Sequence, residues 1–100
     1  MRRLTGMLRA EYKVEGGKLI KVQLCIDNGK IKGIKIMGDF FMHPEEAIEN
    51  LEKSLIGCAF DELKITENIK TFIRTNSVTL LGVSPEDFTK CILKAGVGSG

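Results

Sequence analysis

One histidine, three cysteines and a loop carboxylate are the side chains of this 100-residue chain best suited to chemistry. His43 is a general base by type, but it stands beside Pro44 where a helix begins, a position that suits a capping or first-turn role. Cys25, Cys58 and Cys91 are odd in number and far apart, with no Cys-x-x-Cys pair. A four-ligand zinc site would need carboxylates to converge on them from distant segments. The thiols read as reduced side chains of a cytoplasmic protein. Cys91 falls among apolar helical positions and belongs to the core, whereas Cys25 points away from the apolar side of its strand, towards a contact surface. Asp39 has two structural uses open to it, an ion pair with a nearby Lys or acceptance of backbone N–H groups of the following turn. Neither a Gly-x-Ser-x-Gly elbow nor a phosphate-binding Gly-x-x-x-x-Gly-Lys-Ser/Thr loop is present. No catalytic constellation and no metal site assemble from these residues.

The elements that carry them are read from hydrophobic period. Over residues 7–14, Leu8, Ala10, Tyr12 and Val14 alternate with Arg9, Glu11 and Lys13, the period of a half-buried strand. After the Glu15-Gly16-Gly17-Lys18 turn, residues 18–27 repeat the pattern, with Ile20, Val22, Leu24 and Ile26 inward and Lys21, Gln23, Cys25 and Asp27 outward. Asn28-Gly29 accepts the positive φ of a type I′ hairpin turn. A third strand, with Ile34 and Ile36 inward and Gly33 as a candidate bulge, runs to about Met37.

The period then becomes helical. Pro44, Glu45 and Glu46 suit a first helical turn, Ala47, Ile48, Leu51 and Leu55 form an apolar stripe, and Gly57 suits the C-terminal cap. A second helix is expected with Thr66 as its cap and Ile65, Ile69, Phe72 and Ile73 as its stripe, followed by a short extended piece at residues 78–81. Ser84-Pro85-Glu86-Asp87 opens the last helix, whose apolar face is Phe88, Cys91, Ile92 and Ala95. The result is an α+β fold, a three-stranded antiparallel meander with two to three helices on one face. Residues 1–95 are expected to form one domain and residues 96–100 a flexible tail.

Between the third strand and the first helix stands Gly38-Asp39-Phe40-Phe41, two adjacent large rings where a loop belongs. Neighbouring residues of a pleated strand face opposite ways, so one ring is left for another surface; the alternative is that both fold under the helix.

Together with Gly17-Lys18-Leu19-Ile20-Lys21-Val22, Asp27-Asn28-Gly29-Lys30-Ile31, Ile34-Lys35-Ile36-Met37, the helix ending Leu55-Ile56-Gly57, and Gly82-Val83-Ser84-Pro85-Glu86-Asp87-Phe88, this stretch resembles the small accessory domain of lipoate–protein ligases. The ordered set spans about residues 7 to 95. In that family a large domain binds ATP and lipoate, forms lipoyl-adenylate and passes the lipoyl group to an acceptor lysine. The small domain contributes to activation and changes position between steps. Since the chain starts at Met1 and holds nothing like the large domain, the resemblance implies a separate large catalytic subunit as its heterodimer partner, and acceptor proteins as indirect partners. ATP, Mg and lipoate belong to the complex, with no cofactor bound by this chain alone. The partner interface is expected at Gly38, Asp39, Phe40, Phe41 and His43, with Lys21 and Lys35 of the basic sheet face adding electrostatic steering. Arg2-Arg3 near Gly6 echoes an arginine-and-glycine motif of the catalytic domain, without its glycine run, and is read as coincidence.

The order of strands, Asn-Gly turn, Gly-led loop and helix also resembles iron–sulphur scaffold proteins of the NifU type, and a NifU/SufE-like arrangement is implied. Those proteins place a cysteine after the third strand, where this chain has Gly38-Asp39-Phe40-Phe41. Cluster chemistry is not expected to carry over with the fold, and an iron–sulphur scaffold or a general protein-interaction module stands as the alternative function.

Composition agrees with a small globular domain, with 43% hydrophobic and 28% charged residues. No apolar run approaches the roughly 20 residues of a membrane span, and residues 1–6 lack a signal-peptide apolar region, so neither membrane insertion nor secretion is expected. Net charge is +2, but residues 1–37 hold nine Lys/Arg against three Asp/Glu and residues 38–100 hold six against ten. The asymmetry of +6 and −4 suits steering of a charged partner. The basic strands lack the interleaved aromatics and motifs of nucleic-acid binders, and none is expected as a partner.

Overall fold

The computed structural model describes residues 8–97. Met7, the Arg2-Arg3 and Gly6 segment and residues 98–100 lie outside the described residues. Strands β1 (Leu8–Lys13), β2 (Leu19–Asp27) and β3 (Lys30–Gly38) form an antiparallel meander in the order β1-β2-β3. Asn28 and Gly29 make its tight turn at φ 54° and 73°, the left-handed conformations that Asn and Gly accept most readily. The β2–β3 register skips one residue, pairing Cys25 with Gly33 and Ile26 with Ile31. The bulged residue is thus Lys32, one place before the glycine expected to mark it.

Register sorts the side chains between two faces. Ala10, Val22 and Ile36 line up across the three strands on the inner face, as do Leu8, Leu24 and Ile34. Arg9, Gln23 and Lys35 line up on the outer face, beside Glu11, Lys21 and Met37. The inner face is covered by α1 (Ala47–Leu55), which packs on β3, and α3 (Pro85–Val97), which packs on β1 and β2; α2 (Glu62–Thr75) packs against both helices. Ile20, Val22, Leu24 and Ile31 meet Leu51, Leu55, Ile65, Ile69, Phe88 and Ile92 in one core, all at 1% exposure or less. Cys91 joins them at the level of the strands, its Sγ 3.5 Å from the Ile20 carbonyl oxygen.

The helix boundaries correct three expectations. Helix α1 starts at Ala47, because Pro44–Glu46 form a turn in which Ala47 N–H donates to Pro44 O at 3.0 Å. Helix α2 starts at Glu62 and is capped by Asp61, whose carboxylate accepts the Lys64 N–H at 3.1 Å. Leu63, 73% exposed, breaks the apolar period there and hides this start. Thr66 lies inside the helix and donates instead to the Thr89 hydroxyl of α3 at 2.8 Å. Helix α3 continues through Val97, two residues into the stretch expected as a tail, because the Phe60 ring lies directly on the backbone of Gly96, where a β-carbon would overlap it. Its N-terminus matches expectation, with Ser84 N–H and hydroxyl both donating to the Asp87 carboxylate, at 2.9 and 3.0 Å.

Gly57 takes φ +87° just past α1, as the sequence predicts for a C-terminal cap. Its N–H serves the sheet, donating to Ile31 O at 2.7 Å, while Ile31 N–H donates to Cys58 O and Phe60 N–H to Gly29 O, both at 2.8 Å. The link from α1 to α2 thereby covers one half of the outer edge of β3. On the other half the Glu52 carboxylate of α1 accepts the Ile36 N–H at 2.7 Å. Among the described residues no helix is long and apolar enough to cross a membrane.

Candidate functional site

The corner after β3 is set by a glycine that no other residue replaces. A β-carbon on Gly38 would overlap the Leu19 carbonyl oxygen and stand 2.8 Å from the Phe40 ring, and its φ is +155°. This close approach lets Asp39 clamp the start of β2. Its carboxylate accepts the Leu19 N–H at 2.7 Å, and its own N–H donates to Leu19 O at 3.2 Å. Of the two uses open to Asp39, backbone capture is the observed one, but across the sheet rather than within the next turn.

From this clamp the two rings diverge. Phe40 turns inward and meets Phe88 of α3 edge-on, with centroids 5.1 Å apart and planes at 86°. Phe41 turns outward and is 50% exposed. The alternation rule holds because Phe41 starts an element of a second sheet absent from the sequence reading: Phe41–His43 is strand β4, paired antiparallel with β5 (Thr79–Leu81). Met42 between them is buried, which anchors the ribbon to the core. His43 is therefore neither a helix cap nor a first-turn residue. It closes β4, two residues from Phe41 on the same ribbon face, and its ring is parallel to the Phe41 ring at a centroid distance of 6.3 Å.

Sequence reasoning missed Leu81. It is the direct cross-strand partner of Phe41 and is 57% exposed, so ring and aliphatic side chain form one uncovered apolar patch. The signal was too short to read, since a three-residue strand has no period of its own and its partner lies forty residues away.

Beside Phe41 opens a groove of about 400 Å³ between the ribbon, the end of β3 and α1, lined among others by Phe40, Phe41, Ile48, Glu45, Glu49 and Lys35. Lys35 thus joins the corner. Lys21 does not. It lies on the outer sheet face, 3.9 Å from the exposed Glu11 carboxylate, at a separate depression of about 430 Å³ shared with Arg9, Gln23 and Met37. Cys25 is half-buried on that same face, next to Gly33, as its strand parity predicts. Among the described residues no three His, Cys, Asp or Glu side chains gather closely enough to hold a metal ion. Burial among apolar groups pushes the Cys91 thiol up to about 11, which keeps it protonated and unreactive near neutrality.

A three-stranded meander backed by three helices, with a clamped corner that turns one ring out, defines the class. Residues 6–92 match the family described as bacterial lipoate protein ligase C-terminus, and the chain belongs to that family. It is 41% identical over 86 residues to lipoate-protein ligase A subunit 2 of Thermoplasma acidophilum, which covers 86% of this chain and 87% of that protein. A chain of the solved bi-partite lipoate protein ligase of the same organism, determined in an analysis of an archaeal lipoylation system with its E2 lipoyl domain, superposes with a TM-score of 0.76 at 38% identity. That match covers 89% of this chain and 97% of the other.

Proposed function

We propose that this chain is the small accessory subunit of a two-part lipoate–protein ligase, working as a heterodimer with a large catalytic subunit. The observation that carries the reading is the match over nearly the full length of a protein that is itself a second subunit of such a ligase. Among the described residues no three His, Cys, Asp or Glu side chains converge, and this reading assigns the chain no catalytic group of its own. The groove beside Phe41 is edged by Glu45 and Glu49, whose carboxylates disfavour a phosphate there. ATP, Mg and lipoate are then handled on the large subunit, with acceptor proteins meeting the complex there. The reading places the assembly in the cytoplasm.

What this chain adds is physical. A rigid domain seated next to the activation site orders the loops around a reactive mixed anhydride and keeps water away from it, then shifts aside for the acceptor. The corner at Gly38, Asp39, Phe40, Phe41 and His43 docks on the large subunit, with Phe41 as the exposed anchor, Phe40 as its internal support, and Leu81 added to the patch. Lys21 and the basic outer sheet face contribute long-range attraction for acidic groups of the partner, and Lys35 stands at the groove beside Glu45 and Glu49.

The test is ATP–pyrophosphate exchange with purified large subunit and lipoate. Adding this chain raises the exchange rate. Equal exchange with and without it, using a large subunit shown to bind it, removes the activation role.

A further inference from the structure

We infer that the groove between the β4–β5 ribbon and α1 receives a segment of the large subunit that carries an apolar anchor side chain flanked by Lys or Arg. This rests on the reading above and adds the chemistry of the partner's docking element.

Two independent features of the groove select that occupant. The first is apolar surface without a cover. Phe41 and Leu81, two of the four large hydrophobic side chains that the described residues leave exposed, are paired across the ribbon, and Ile48 and Phe40 extend the apolar lining into the groove. An apolar patch continuous from a groove onto the adjoining ribbon face suits a protein segment better than a small molecule, which would leave Leu81 in water.

The second is charge. Glu45, Glu49 and Glu52 line the groove against Lys35 alone, a balance of three negative to one positive. Glu52 is engaged by the Ile36 N–H, leaving Glu45 and Glu49 exposed beside the apolar lining. The ion pairs among the described residues, Lys21–Glu11 and Lys70–Glu86, lie elsewhere. Such a rim repels phosphates and attracts cations, and a Lys or Arg lying over a half-exposed Phe gains further from the ring face.

The experiment is calorimetric titration of the large subunit from the same source with the full chain, at low and moderate salt. Reversing the rim with the double variant E45K/E49K weakens binding at least tenfold and flattens its salt dependence. The milder E45Q/E49Q pair, which spares the first turn of α1 a positive charge, weakens it severalfold. The control double variant E62K/E67K makes the same charge change on α2 and leaves affinity within twofold. Unchanged affinity and salt dependence in both rim variants, with the complex still forming, overturn the inference and leave the accessory-subunit reading standing. Equal weakening by the α2 control reduces the effect to net charge and also overturns it. Absence of any complex sinks both.

Discussion

Phe40 meets Phe88 edge-on at 5.1 Å, while Phe41, its neighbour in the chain, lies half in solvent across the ribbon from Leu81. One dipeptide thus serves two surfaces. Phe40 ties the corner to α3 and the core, and that tie fixes the backbone from which Phe41 projects outward. Preorganised aromatic side chains of this kind tend to dominate binding energies.

The two rings should therefore fail differently. Phe40→Ala removes a core contact and costs about 2–3 kcal/mol of stability, read as a lowered urea midpoint. Phe41→Ala leaves that midpoint almost unchanged but weakens association with the large subunit by about 2 kcal/mol, roughly 30-fold. Full affinity in a well-folded Phe41→Ala chain would take this ring out of the interface.

Leu81 extends the same patch, and its truncation is predicted to cost binding as well. Because Leu81 and Phe41 are in cross-strand register, the double variant Phe41→Ala/Leu81→Ala should lose less than the sum of the two single losses, with a coupling of about 0.5 kcal/mol or more. Strict additivity in calorimetry would mean the two side chains meet separate parts of the partner.

The clamp at Gly38 and Asp39 is a stability element. Gly38→Ala pushes a β-carbon into the Leu19 carbonyl and is expected to destabilise by about 2 kcal/mol or more, since neither strand backbone has room to retreat. Asp39→Ala strips the acceptor from the Leu19 N–H at an exposed edge and costs about 1 kcal/mol, while Asp39→Asn keeps an acceptor and costs less. Thermal melts of the three variants give the ranking, and an Asp39→Ala chain as stable as the parent would show that water replaces the carboxylate fully.

Cys91 supplies a pH signature. Its folded thiol is raised from 9.0 to about 11 by burial, so folding favours the protonated form. That contribution is complete below pH 9, where both states hold the proton. It is lost as pH rises from 9 through 11, where the unfolded thiol ionises first. Stability measured by urea between pH 8 and 11 should fall more steeply for the parent than for Cys91→Ala. In the native protein at pH 8, iodoacetamide should modify the half-buried Cys25 and Cys58 and spare Cys91. Rapid native alkylation of Cys91 would contradict its burial.

Periodicity determined the inner and outer faces of each strand and the burial of Cys91, local consequences of a repeat of two or of 3.6 residues read against a core. The turn of the meander was determined by Asn28-Gly29, two residues that accept positive φ. The sequence left open whether Phe40 and Phe41 part or both fold under the helix, since alternation separates neighbours only where the chain is extended. Tertiary structure alone decided the rest. The ribbon of β4 and β5 exists because Met42 is drawn into the core and residues 79–81 arrive beside it from far along the chain, so His43 became a strand residue beside Phe41 rather than a helix cap. The capture of Leu19 by Asp39 and the seating of Phe60 on Gly96 are likewise meetings of distant segments. No local pattern encodes such pairings, because their energy comes from surfaces that only packing brings together.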